Sequence, residues 1–214
     1  MTSNEKSPAA SGGIREMSYA VAPDRMPRIP PEKMSDAQKK AAAEVAAGPR
    51  GVLRGPFVPL MRSPELMSRI QKVGEYLRFH CPLDKRIGEM ATLMAARHWT
   101  QQYEWQAHHQ HALKAGLKPA IIEAIAEGRR PGGMADDEET VYDFVTELFA
   151  NKSVCDKTYE RTVAKFGEQG VIDVVGVCGY YTMIAMIMNV ARTAIPDGKP
   201  LPLAPLPGQL RTPA

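Results

Sequence analysis

"DKRIGEMATLMAARHWTQQYEWQAHHQHALKAG", residues 84–116, decides the fold. After Asp84 its first half is apolar on almost every side up to Trp99, the pattern of a helix at the centre of a bundle. Its second half also has helical periodicity and stops at Gly116. On a helical wheel with Glu104 at zero, His108 falls about 40° away and His111 about 20° to the other side. Gln101 falls about 60° round. Trp105, Ala107, Ala112 and Ala115 lie between and beside them. Gln102, Gln106, Gln110 and Lys114 form the opposite side, which the wheel assigns to solvent. His109 is turned away and Tyr103 points to a flank. A carboxylate and an imidazole thus face inward, among alanines small enough to leave space.

The flanking segments are helical too. Ser35 or Asp36 caps a helix over 36–48 that Gly48-Pro49 stops. "PRGVLRGPFVPLMRS", residues 49–63, reads as a loop. Ser63 and Pro64 open the next helix, to which Leu66, Ile70, Val73 and Leu77 give an apolar face, and Pro82 ends it. Helices follow in "KPAIIEAIAEG", in the acid-led "DDEETVYDFVTELFA", in "DKTYERTVAKFG" and in "EQGVIDVVGVCGYYTMIAMIMNVAR". No strand pattern is convincing. The fold class is all-α, a helical bundle. Residues 1–30 read as a flexible N-terminal arm, 31–195 as a single domain with its core hairpin at 84–126, and 196–214 as a proline-rich tail that wraps a neighbour or stays loose.

Composition narrows the function. Apolar residues make up 44% and charged residues 24%, as in an ordinary soluble domain. A net charge of +3 without a Lys/Arg run gives no reason to expect nucleic acid. No apolar run reads as long enough to cross a bilayer, and the N-terminus lacks the apolar core of a secretory leader, so the expected location is cytoplasmic, away from membrane. Cys81, Cys155 and Cys178 are too widely spaced for a redox pair and read as reduced thiols.

Three readings of the inward Glu/His set stay open. Glu104 and His108 can be a hydrogen-bonded structural pair. They can be an acid–base pair, since burial raises a carboxylate pKa and lowers that of an imidazole while each partner opposes the shift in the other. Glu104, His108 and His111, one turn apart, can begin a metal site, although no second cluster supplies a further ligand. Glu89 sits in a nearly apolar helix and needs a partner. That partner is either Arg86, one turn back, or His108 across the hairpin. Arg86 and Arg97 are candidates to hold an anionic substrate, because guanidinium groups match carboxylates.

"IGEMATLMAARHWTQQYEWQAHHQHALKAGLKPAIIEAI" resembles the core of the carboxymuconolactone decarboxylase family, which includes the alkyl hydroperoxidase D-like proteins. The likeness is firmest over residues 84–126. The peroxidase branch of that family carries a glutamate, eleven residues, a cysteine, two residues, a cysteine, three residues and a histidine. Glu89 and His108 match the first and last of these, while Gln101 and Glu104 stand where the cysteines would be. Peroxide reduction by that branch needs a nucleophilic and a resolving thiol, so peroxidase (peroxiredoxin) activity is not expected here.

The resemblance implies the alkyl hydroperoxidase D-like bundle, a homo-oligomer (dimer, trimer or hexamer), and no metal or organic cofactor. It also implies a carboxy-lyase or lactone-processing enzyme acting on a small carboxylated molecule of the kind met in aromatic catabolism. On this reading His108 donates or shuttles the proton, and Glu104 is its partner or the acid itself. Glu89 orients the imidazole, Arg86 or Arg97 holds the substrate carboxylate, and His80, Phe57 and Tyr181 line the pocket. The same residues would serve an isomerase or a lactone-opening enzyme. A non-catalytic binding or scaffold protein would instead show a closed, dry pocket with Glu104 and His108 fully paired.

Overall fold

The computed structural model describes residues 23–195 and 202–206. Among the described residues there are eight α-helices: α1 Asp36–Ala47, α2 Phe57–Leu60, α3 Pro64–Glu75, α4 Lys85–His98, α5 Gln102–Lys114, α6 Pro119–Ala126, α7 Asp136–Asn151 and α8 Asp156–Ala191. No strand occurs among the described residues. Helix α4 occupies the centre and packs against α5, α6, α7 and α8. Its position follows from its sequence: Ile87, Met90, Ala91, Leu93, Ala95 and Ala96 are fully buried and cover its whole circumference.

Local chemistry sets the helix ends. Ser35 and Gln38 form a reciprocal capping box on α1. The Asp84 carboxylate accepts the Arg86 N–H at 2.8 Å and starts α4. Pro64 opens α3 as expected, but the Ser63 hydroxyl makes no cap bond. The loop read at 49–63 contains α2, a single helical turn with all four residues buried. The two helices expected after residue 155 run on as α8, broken at Gly167, whose φ of 70° and ψ of 171° are non-helical.

The inner face of α3 differs from the sequence reading. Leu66 and Val73 are exposed, and the buried residues are Met67, Ile70, Gln71 and Gly74. Gly74 explains the rotation: a Cβ there would lie 2.1 Å from the Tyr180 hydroxyl of α8. The helix docks through its smallest residue, not through its most apolar stripe.

Helix α8 is long and apolar enough to span a bilayer, contrary to the sequence expectation, yet its inner side packs on α4 and α7 as a core helix. Described parts of the expected arm and tail are also held. In the expected arm, Arg25 N–H donates to the Ala191 carbonyl at 2.8 Å and Arg28 to that of Leu53 at 2.8 Å; residues 1–22 lie outside the described residues. In the expected tail, Leu203 is buried in the core. Gln102 brackets the Leu203 backbone, donating to its carbonyl at 2.8 Å and accepting its N–H at 2.9 Å. Part of the face assigned to solvent on α5 therefore binds the protein's own C-terminal segment.

A tight turn makes α4 and α5 a hairpin. Thr100 adopts φ 47°, unusual for a β-branched residue. Gln101 closes the turn: its backbone N–H donates to Ala96 and its side chain accepts the Glu104 N–H at 3.0 Å. From α8, Asn189 donates to the Trp99 carbonyl and accepts from Gln101. Gln101, at the position of a redox cysteine in the peroxidase branch, is here the cap that fixes the hairpin register.

Candidate functional site

The hairpin brings Glu89 of α4 against His108 of α5. Glu89 Oε2 lies 2.7 Å from His108 Nδ1. Of the two partners offered to Glu89 by the sequence, the fold selects the histidine. Burial alone would raise the Glu89 pKa, but the charge of His108 and the hydrogen bond to it, aided by His111 and Arg78, hold it below the ordinary carboxylate value. The bond assigns Nδ1–H as donor when Glu89 is ionised. His108 Nε2 has no hydrogen-bond partner among the described residues.

Tyr181 of α8 meets the His108 ring edge-on at 4.8 Å. Burial pushes its phenol pKa far up, so it remains a proton-bearing donor. His111 stands on the other side of His108, with ring centroids 5.7 Å apart. Burial lowers the His111 pKa, with Glu89 opposing and the charges of His108 and Arg78 adding.

Glu104 departs from the expected pairing. It is 2% exposed, and neither carboxylate oxygen has a hydrogen-bond partner among the described residues. The i,i+4 bond to His108 is not formed, and Glu89 takes Nδ1 in its place. Burial pushes the Glu104 pKa well above the usual carboxylate range. Nor does the proposed metal set assemble: among the described residues no three His, Cys, Asp or Glu side chains converge as ligands would. Ala107, placed on the inner side by the wheel, is exposed.

A cleft opens on Glu89. Leu77, Arg78, Leu83, Asp84, Lys85, Gly88, Thr92, Val177 and Tyr181 complete its wall. It spans about 340 Å³ including its solvent-open part.

Of the five residues expected to bind substrate, only Tyr181 lines this cleft. Arg86 is held by α7, at 2.6 Å from Asp137 Oδ2 and 2.5 Å from Glu138 Oε1. Arg97 is buried and donates to the Ala204 carbonyl at 2.8 Å, beside a separate and larger cavity of about 650 Å³ including its solvent-open part. His80 is exposed, 3.9 Å from Glu75. Phe57 is buried beneath the Arg50 guanidinium.

The sequence reading missed Arg78. Gly74 was the available signal, because it marks the true inner face of α3, and Arg78 lies one turn beyond it on that side. The thiols lie outside the Glu/His set: burial raises the pKa of Cys81 and pushes that of Cys178 up to about 12, while Cys155 is exposed.

The fold is an all-α bundle of the alkyl hydroperoxidase D-like type. Residues 64–146, from α3 into α7, match the carboxymuconolactone decarboxylase family. A crystal structure of a protein of unknown function from Agrobacterium tumefaciens, suggested to be an antioxidant defence protein AhpD, has a similar fold. The two share 16% identity at a TM-score of 0.59, over 67% of this chain and 99% of that one. Comparison with curated proteins gives no match.

Proposed function

We propose that this protein is a cofactor-independent carboxy-lyase or lactone-processing enzyme whose Glu89–His108 pair moves the proton. The 2.7 Å bond between Glu89 and His108 beside an open cleft carries this reading. Loss of CO₂ from a carboxylated, unsaturated lactone leaves an electron pair that delocalises onto the ring carbonyl, and a carbon must then take up a proton. The His108 imidazolium passes its Nδ1 proton to Glu89, and Glu89, which lines the cleft, delivers it to that carbon, leaving His108 neutral with its proton on Nε2. Glu104, kept neutral by burial, is the reserve acid behind the pair. The same machinery serves isomerisation or lactone opening, which a substrate panel separates.

Two observations weigh against a purely structural Glu/His set: Glu104 is unpaired, and the cleft is open at Glu89. The missing cysteine pair weighs against peroxidase chemistry. We further propose that the protein works as a homo-oligomer in the cytoplasm. Ile172, Val175, Met186 and Val190 leave an exposed apolar stripe on α8 that a second copy would cover.

The test is turnover of carboxylated lactones by His108→Ala and Glu89→Gln variants. General acid–base groups predict losses of roughly 10²-fold or more. Unchanged turnover in both, with the helical fold intact, would overturn the assignment.

A further inference from the structure

We propose that Arg78 is the anion-binding residue of the cleft and that its ligand is a small carboxylate entering over Gly88. This rests on the Glu89–His108 site above and names what recognises the ligand there.

The α3 helix does not simply end. Tyr76–His80 continues it as one π-helical turn, closed by the Cys81 N–H on the Tyr76 carbonyl at 2.7 Å. Such turns widen the helix by a residue and are frequent at functional sites. This one sets Arg78 on the cleft wall opposite Gly88 and Glu89 of α4. The turn is pinned: Lys85 Nζ donates to the Arg78 carbonyl at 2.7 Å.

The charges around the cleft are otherwise committed. Asp84 caps α4, Glu89 holds His108, and Lys85 holds the π-turn backbone. Arg78 differs from the paired arginines of this protein. Arg86 meets two carboxylates, Arg130 two and Arg161 three. Among the described residues Arg78 has no carboxylate within ion-pair distance, and its side chain makes one hydrogen bond, to His111 Nε2 at 3.4 Å. A guanidinium only donates, so His111 accepts at Nε2 and carries its proton on Nδ1. Four of the five guanidinium N–H groups remain for a ligand, and their planar fork matches a carboxylate.

Gly88 gives the second, independent observation. It lies inside α4, where glycine costs about 1 kcal/mol relative to alanine. Unlike Gly74, it has no close neighbour to justify that cost: a Cβ there would meet nothing within 4 Å. Its position on the cleft wall keeps the mouth open between Arg78 and Glu89.

The experiment titrates ring-labelled histidine protein with maleate, a small planar dicarboxylate, and with its uncharged dimethyl ester, by NMR. Maleate shifts the His111 ring signals saturably and the ester does not. Arg78→Gln weakens maleate about tenfold or more and Arg78→Lys by less, while the His108 Nδ1–H signal persists as proof of an intact site. Gly88→Leu, a good helix former, also weakens maleate by filling the mouth. Absence of saturable shifts in the wild type, equal binding of the ester, or wild-type maleate affinity in Arg78→Gln would each overturn the assignment. Undiminished binding by Gly88→Leu would overturn entry over Gly88. The readout needs no turnover, so loss of the proton-transfer reading would leave this result standing, and the converse holds.

Discussion

His108 of α5 is bonded through Nδ1 to Glu89 of α4, nineteen residues earlier, and not to Glu104, its neighbour one turn back on the same helix. Glu89 faces the cleft, so the pair joins an exposed end to a buried one. The Glu89→Gln variant keeps the shape and removes the charge. It is expected to lose the low-field Nδ1–H resonance of His108 together with roughly 10²-fold of turnover. Loss of the resonance with turnover intact would make the pair structural.

Glu104 is expected to make stability fall as pH rises. Its folded pKa is raised, so between its ordinary value and the folded one the native state binds more protons than the unfolded state. Stability is then full below the unfolded pKa and declines as pH rises through the folded pKa. Glu89 acts with the opposite sign, because its folded pKa is lowered: its contribution is present above the unfolded value and is lost on acidification through the folded one. Urea midpoints from pH 4 to 9 test this. Glu104→Gln should flatten the decline on the alkaline side; an unchanged profile would show that the decline has another source.

Arg86→Ala is expected to destabilise by about 3 kcal/mol, because it strands the buried Glu138 carboxylate beside Asp137. Denaturant melts of Arg86→Ala against the Glu138→Gln double variant check the cause. The second change should restore much of the loss, since it removes the stranded charge.

Leu203→Ala is expected to cost about 2–5 kcal/mol, the range for a fully buried leucine. The measurement is thermal melting combined with proteolysis of the C-terminal segment. Gln102→Ala should speed cleavage there with a smaller loss of stability, since it releases two backbone hydrogen bonds. Unaltered cleavage in both variants would contradict the strapped tail.

The sequence by itself determined the all-α class, the central place of α4, the hairpin and the inward direction of Glu104 and His108. Each follows from short-range periodicity and from caps such as Asp84, which act within one or two turns. The family segment was readable for the same reason, since its spacing lies within one hairpin. Tertiary structure decided which carboxylate His108 takes, because the choice between Glu89 and Glu104 depends on interhelical register set by Thr100 and Gln101. It also decided the inner face of α3, where the approach of Tyr180 to Gly74 outweighs the apolar stripe of Leu66 and Val73. Along the chain Arg86 and Arg97 were the candidates to hold an anion, and Arg78 was passed over. Only the fold gave the first two to α7 and to the C-terminal segment, and set Arg78 on the cleft wall in the π-turn that follows the face Gly74 marks.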